Sequence, residues 1–248
     1  MIQRLFKWLW QGLAALDLII LSLILFALAY LPAFITHSFY RKLFRYWCRV
    51  FVAALDIDLR LHQHFTKALP DTYILIGNHP SIFEDIGIPA LFDTYPVAKE
   101  EVRRWFIGGR IAEAAGALFV QRDSSESREA VSEDIVAALQ SGKHVAIFPE
   151  GGCKGKRIHE FRWGIFEISL TAGIPIVPVF LHYEAQEEFE WRNDETAPQK
   201  IWQLLNVTNN RANYHVFDAF YPENFDDKAS YCEHVHQQYL QWQKEYLD

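Results

Sequence analysis

The chain has 248 residues, of which 50% are hydrophobic and 22% charged, enough to bury one sizeable core and too apolar for a disordered protein. Its formal charge of -7 argues against a broad basic surface, so nucleic acid is not an expected partner. Cys48, Cys153 and Cys232 are far apart and suggest neither a disulfide framework nor a CxxC site; His62/His64 and His234/His236 come without thiolates or HExxH spacing, so no metal site is expected.

From Leu9 to Phe34 the chain is almost wholly apolar, interrupted only by Gln11, Gly12, Asp17, Ser22 and Pro32. That length is close to the ~20 residues of a spanning helix. Trp8, Trp10 and Tyr30 suit an interfacial belt, with Arg4 and Lys7 before the run and Arg41, Lys42, Arg45 and Arg49 after it. The heavier basic cluster leads into the rest of the chain, which puts that part on the cytoplasmic side. Asp17 costs roughly 2.5 to 3.5 kcal/mol in lipid, so a re-entrant or interfacial segment competes with a full span. A cleaved secretory signal ending near Ala27-Leu28-Ala29 and a buried helix of a soluble protein are the other readings.

Beyond Arg49 the composition changes, and the division falls near residue 55: residues 1–55 as a membrane-anchoring helical segment, 56–248 as the soluble domain. "IDLRLH" and "DTYILIGN" read as strands around the turn at Leu69-Pro70-Asp71. Helical patterns at 103–115 and 125–140, the latter between "DSSES" and "SGK", then alternate with apolar strands "GALFVQ", "KHVAIFPE" and "IPIVPVFL". Alternation of this kind implies an α/β layered fold. The polar stretch Glu184 to Gln199 reads as solvated, and from Asp226 onward Tyr231, Val235, Tyr239, Trp242 and Tyr246 give one helix an aromatic face for packing.

"IGNHPSIFEDI", Ile76 to Ile86, is the stretch with chemistry in it. Pro80 disfavours helix at His79, so the chain should leave a strand, turn at Asn78-His79 and begin a helix around Pro80 or Ser81. A histidine at a strand's carboxyl end lies where open α/β sheets bind ligands and can act as a general base. Glu84 or Asp85 near the helix start can hold its ring in the proton-accepting tautomer. Ser81-x-x-Glu84 is also a capping box, and the segment alone leaves both readings open.

Three further blocks follow in order: "GALFVQR" at Gly116 to Arg122, "FPEGG" at Phe148 to Gly152, and "IPIVPV" at Ile174 to Val179. With "NHPSIFE" they resemble the 1-acylglycerol-3-phosphate O-acyltransferase family of glycerolipid acyltransferases, whose blocks are NHxxxxD, G-x-[IL]-F-[IV]-x-R, FPEGT-R-S and V-P-[IV]. The resemblance covers about residues 72 to 180; FRWG at Phe161 to Gly164 is similar to the family's F-K-x-G. It implies a mixed sheet flanked by helices and transfer of an acyl chain from a thioester carrier, acyl-CoA or acyl carrier protein, to a lyso-lipid hydroxyl. His79 would be the base and Glu84, or Asp85 beside it, its carboxylate. Arg122 would contact an acceptor phosphate, with Glu150, Gly151, Gly152 and Lys154 at the acceptor site and Pro178 supporting the fourth block. Lys154, Lys156, Arg157 and Arg162 form a local basic set that could embrace a phosphate or an anionic membrane surface.

Thioester acyl transfer needs neither a metal nor a covalent intermediate, so no cofactor is expected beyond the donor. Membrane lipids and the acyl carrier are the expected partners, with the chain membrane-associated and its catalytic domain facing the cytoplasm, at the inner membrane in a bacterium. Glu84 replaces the family's aspartate, and Gly152, Cys153 and Lys154 stand where the family has Thr-Arg-Ser. These departures leave another lysophospholipid or an amino-acid lipid open as acceptor, and behind those a thioester or lysolipid hydrolase or a degenerate lipid-binding protein.

Overall fold

The computed structural model describes residues 2–192 and 194–248, without the side chains of residues 2–7 and 33–38. Arg4, Lys7 and Phe34, named above as flanks and end of the apolar run, lie outside the described side chains. In chain order the first elements are α1 (Ile2–Leu28), α2 (Ala33–Ala54), β1 (Asp58–Gln63), β2 (Ile74–Gly77), α3 (Glu84–Leu91) and β3 (Thr94–Lys99). Then come α4 (Glu100–Arg103), α5 (Gly108–Ala114), β4 (Leu118–Val120), α6 (Ser125–Gln140), β5 (His144–Ile147) and α7 (Gly164–Ala172). The last are β6 (Ile176–Tyr183), α8 (Gln186–Phe189), α9 (Ala197–Leu204), β7 (Arg211–Val216) and α10 (Lys228–Tyr246).

The strands form one mixed sheet of order β1-β7-β6-β2-β5-β3-β4, parallel throughout except for the antiparallel β6–β7 pair. β2 sits in its middle with every residue buried. Ile74 and Ile76 join the core beneath α6, α7 and α10, while Leu75 joins the core beneath α2 and α3. A strand covered on both faces reads as an unbroken apolar run, which is why "ILIG" carries no alternation.

α1 and α2 differ in character. Trp8–Leu28 of α1 is long and apolar enough to cross a membrane by length and composition, with a mean hydropathy of 2.2 and only 11% of the stretch buried. Leu13, Leu16, Ile20, Leu23 and Ile24 are exposed on its outer face, unlike the core helix of a soluble protein. Asp17 is exposed as well. α2 instead buries Tyr40, Phe44, Trp47, Cys48 and Val52 in the same core as Leu75 and Tyr214. It holds α1 through the Tyr40 hydroxyl, donated to Leu25 O at 3.0 Å, and Trp47 Nε1, donated to Ser22 Oγ at 2.8 Å.

The basic cluster after the apolar run has a structural task that its sequence position does not reveal. Arg41 is buried, donates to Ala115 O at 2.9 Å, pairs with Asp93 and lies over the Tyr95 ring at 3.6 Å. Arg45 and Arg49 donate to Pro89 O and Ala90 O at the carboxyl end of α3. Cations there complement the free carbonyls and the helix dipole. Two of the four charges read as a topology signal thus tie α2 to α3, and a third, Arg41, ties it to the start of β3 and the end of α5.

Other expectations shift in detail. The pattern at 103–115 is two short helices, broken where Trp105, Phe106 and Ile107 are exposed and Gly108-Gly109 weakens the turn. α6 matches its expected bounds, with Ser124 Oγ accepting from Ser127 N as N-cap. The aromatic face of α10 packs on the sheet. There the Tyr239 hydroxyl accepts from Val179 N at 3.2 Å and donates to Ile76 O at 3.0 Å, bridging β2 and β6 beside Pro178, which has no N–H to offer. The rings of His62 and His64 stack on buried His215.

Candidate active site

The site forms where five parallel strands end together. β2 delivers His79, β5 delivers Glu150 to Cys153, β4 delivers Arg122, β3 ends at Lys99 and β6 ends at Tyr183. Loops at the carboxyl ends of adjacent parallel strands are thrown against one another, so residues distant in sequence converge.

Asn78 fastens the loop to β6: its carboxamide nitrogen donates to Leu181 O at 2.9 Å and its oxygen accepts from Leu181 N at 2.7 Å. His79 follows, buried, with its ring stacked on Phe148 at a centroid distance of 4.0 Å and 8° between planes. The helix after it begins at Glu84, later than Pro80 or Ser81. The intervening turn is held by Ser81 Oγ, which accepts from Phe83 N at 3.2 Å. That turn lets Glu84 fold back onto the histidine.

Glu84 meets the histidine and makes only one half of the capping box. Its Oε2 accepts from Ser81 N at 2.8 Å and lies 2.8 Å from His79 Nδ1; the reciprocal half of a capping box is missing, since Ser81 Oγ accepts from Phe83 N. Oε1 accepts from the Tyr183 hydroxyl. Since Oε2 already accepts an amide proton, Nδ1 is the donor to it, and the opposite nitrogen, Nε2, carries the free lone pair. Burial pushes the Glu84 carboxyl well above the usual range, opposed by the hydrogen bonds from Tyr183 and Ser81. Burial also pulls His79 down to about 4, keeping the imidazole neutral at physiological pH. α3 comes this close to the sheet because position 87 is glycine; a Cβ there would collide with the Tyr214 hydroxyl.

Asp85, the other proposed partner, is exposed and makes no hydrogen bond to the imidazole among the described residues. Glu150 is buried, and both its oxygens are engaged: Oε1 accepts from His79 N at 3.1 Å and Oε2 from His159 N at 3.0 Å. It therefore braces two loops instead of offering a free oxygen to an acceptor, and burial raises its pKa to about 7. Gly151 has φ of 76° and a Cβ there would lie 2.6 Å from Arg162 Nε, so only glycine fits between that guanidinium and the Pro149 turn. Arg122 is half-buried and donates to Gly151 O. A Cβ on Gly152 would lie 3.2 Å from Arg122 Nη1 and 3.9 Å from Lys99 Nζ, so these cations share one wall of the site.

The basic set divides. Arg162 stands at the site beside Arg122, whereas Lys156 pairs with Glu187 at 3.6 Å and Arg157 with Asp248, away from it. Lys154 has an exposed side chain, and its backbone N donates to His79 O at 3.2 Å, joining the glycine loop to the histidine loop. Sequence reasoning gave no role to Tyr183, Phe148, Lys99 or the Asn78 clamp. Cys153, noted only as a departure from the family pattern, has its Sγ 3.4 Å from His79 Nε2.

Residues 60–182 match the family model described as Acyltransferase. A 1-acyl-sn-glycerol-3-phosphate acyltransferase of Neisseria gonorrhoeae is 28% identical over 161 residues, 63% of each chain. A lyso-ornithine lipid O-acyltransferase of Pseudomonas aeruginosa is 31% identical over 144 residues, 58% of this chain and 54% of that one. The matches thus span less than two thirds of the length of these curated relatives. In three dimensions, a crystal structure of the 1-acyl-sn-glycerophosphate acyltransferase of Thermotoga maritima shares the fold, with a TM-score of 0.65 at 15% identity over 94% of this chain and 97% of that one. Through residues 60–182 the chain belongs to the acyltransferase family.

Proposed function

We propose that the protein is a membrane-attached O-acyltransferase that moves a fatty acyl chain from acyl-CoA or acyl carrier protein to a hydroxyl of a lyso-lipid. The observation that carries this is the buried His79–Glu84 pair, whose 2.8 Å contact leaves Nε2 as a neutral base at the strand ends. The acceptor hydroxyl attacks the thioester carbonyl, His79 receives its proton, and Glu84 stabilises the imidazolium that forms. A positioned base of this kind contributes on the order of 10²- to 10⁴-fold, with proximity supplying much of the rest.

The acceptor we favour is 1-acylglycerol-3-phosphate. Its support is the cationic wall of Arg122, Lys99 and Arg162, together with the neisserial relative. A second reading, an amino-acid lyso-lipid, rests on Cys153 occupying the family's arginine position and on the Pseudomonas relative. The exposed apolar face of α1 would lie in the bilayer that holds acceptor and product, with the catalytic domain on the cytoplasmic side.

The experiment is acyl transfer by detergent-solubilised protein from labelled acyl-CoA and acyl carrier protein to a panel of lyso-lipids, beside His79→Ala. Acceptor-dependent product lost in the variant supports the reading and names the acceptor. No product with any acceptor, or product indifferent to His79→Ala, overturns it.

A further inference from the structure

Nε2 of His79, the nitrogen that must receive a proton, faces a thiol. Cys153 Sγ stands 3.4 Å from it and 3.3 Å from Ser81 O. The thiol, imidazole and Glu84 carboxylate are thus in line, with the same nucleophile, base and orienting group that thiol acyl transfer uses. Cys48 and Cys232 are buried, whereas Cys153 is partly open to solvent. The backbone bond from Lys154 N to His79 O fixes the spacing between the two loops.

We propose that Cys153 is the first acyl acceptor, so that the chain passes from carrier to enzyme and only then to the lyso-lipid; this rests on the acyltransferase reading above. In the first half-reaction Sγ attacks the carrier thioester, His79 Nε2 takes the thiol proton, the new Sγ–carbonyl bond forms and the carrier C–S bond breaks. The same proton returns from His79 to the departing carrier sulfur. In the second, the lyso-lipid hydroxyl attacks the Cys153 thioester, His79 takes its proton, and Sγ leaves and recovers that proton as thiol. One thioester replaces another in the first step, so the acyl group keeps its activation, and no oxidant, reductant or metal enters.

The electrostatics disfavour a resting thiolate–imidazolium pair and restrict the step to attack concerted with proton transfer. Burial and the nearby Glu84 and Asp85 push the thiol pKa up, so the resting group is neutral SH. His79 is neutral too, but burial makes it a weak base, so the proton moves only as the new bond to sulfur forms. Lys99 and Arg122 oppose the rise and would stabilise negative charge as it develops on sulfur or on the carbonyl oxygen. An arginine at position 153 would exclude this step; cysteine supplies it.

The test mixes full-length detergent-solubilised protein with labelled long-chain acyl-CoA, and separately with acyl carrier protein thioester, with no acceptor present. Intact mass and peptide mapping should find one acyl adduct on Cys153, released by neutral hydroxylamine and discharged to product when lyso-lipid is added. Cys153→Ala and Cys153→Ser should form no such adduct and transfer at least a hundredfold more slowly, with melting temperatures near wild type. Wild-type transfer with no adduct, an adduct that lyso-lipid does not discharge, or a folded Cys153→Ala enzyme working at the wild-type rate would each overturn the intermediate and leave direct transfer. Absence of wild-type transfer to every acceptor would overturn the acyltransferase reading itself, and the intermediate with it.

Discussion

Tyr183, the last residue of β6, donates its hydroxyl to Glu84 Oε1, the oxygen opposite the one that meets His79. Such a donor favours the ionised carboxylate against the burial that opposes it, and a lost hydrogen bond to a charged group costs about 1.5–3 kcal/mol. Tyr183→Phe should therefore lower kcat by roughly tenfold to a hundredfold. KM for the acceptor should stay close to wild type, as steady-state kinetics would show. A change confined to KM would place Tyr183 in acceptor binding instead.

Glu84→Gln leaves an amide that cannot serve Ser81 N, Tyr183 and His79 together as acceptor. Transfer should drop by at least about a hundredfold, within the range a positioned base contributes. Asp85→Asn, at an exposed side chain with no bond to the imidazole, should cost only a few-fold. The opposite ranking in single-turnover assays would move the partner role to Asp85.

The pH profile offers a separate check. With the pKa of His79 pulled from 6.5 to about 4, the unprotonated base persists well into acid, so the acid limb of kcat/KM should lie well below 6.5, towards 4. Stability follows the same sign. Between about 6.5 and 4 the unfolded chain binds more protons at this residue than the folded one, so its contribution is full above 6.5 and is lost as pH falls through that window. An acid limb near 6.5 would mean an imidazole more hydrated than this burial implies.

Arg122 donates to Gly151 O and stands on the same wall as Lys99 and Arg162. Arg122→Met should raise KM for a phosphate-bearing acceptor by tenfold or more, since a charge-assisted contact is worth about 1.5–3 kcal/mol. KM for a neutral lyso-lipid should move far less. Equal losses on both acceptors would make Arg122 a brace for the glycine loop alone.

Tyr239→Phe leaves Val179 N and Ile76 O without the hydroxyl that joins them. A buried polar group left unpaired costs about 1–3 kcal/mol, and thermal melts should fall by several degrees. An unchanged melt would show that Val179 N and Ile76 O find other partners once the hydroxyl is gone.

Much of this frame was legible in the sequence because it rests on local rules. β2, β5 and β6 are unbroken apolar runs, α6 carries its own cap and stop, and the face of α10 repeats at helical spacing. The pairing of His79 with a carboxylate five residues on was legible too, since both lie on one short loop. Less legible were contacts made across the sheet. Tyr183 reaches Glu84 only because β6 lies beside β2, and Arg45 and Arg49 meet α3, and Arg41 the end of α5, only because α2 folds back over them. In a linear reading those arginines look like charges beside a membrane run. Glu150 was assigned outward, to an acceptor, whereas its two oxygens turn inward to backbone amides.

The Asn78 clamp has a consequence for how the molecule comes into being. Its partner, Leu181, lies 103 residues further along the chain, and Tyr183 follows two positions later. A nascent chain emerging from a ribosome therefore presents its apolar first helix long before the strand that fastens the histidine loop exists. The histidine gains its orientation only when the sixth strand slides in beside the second.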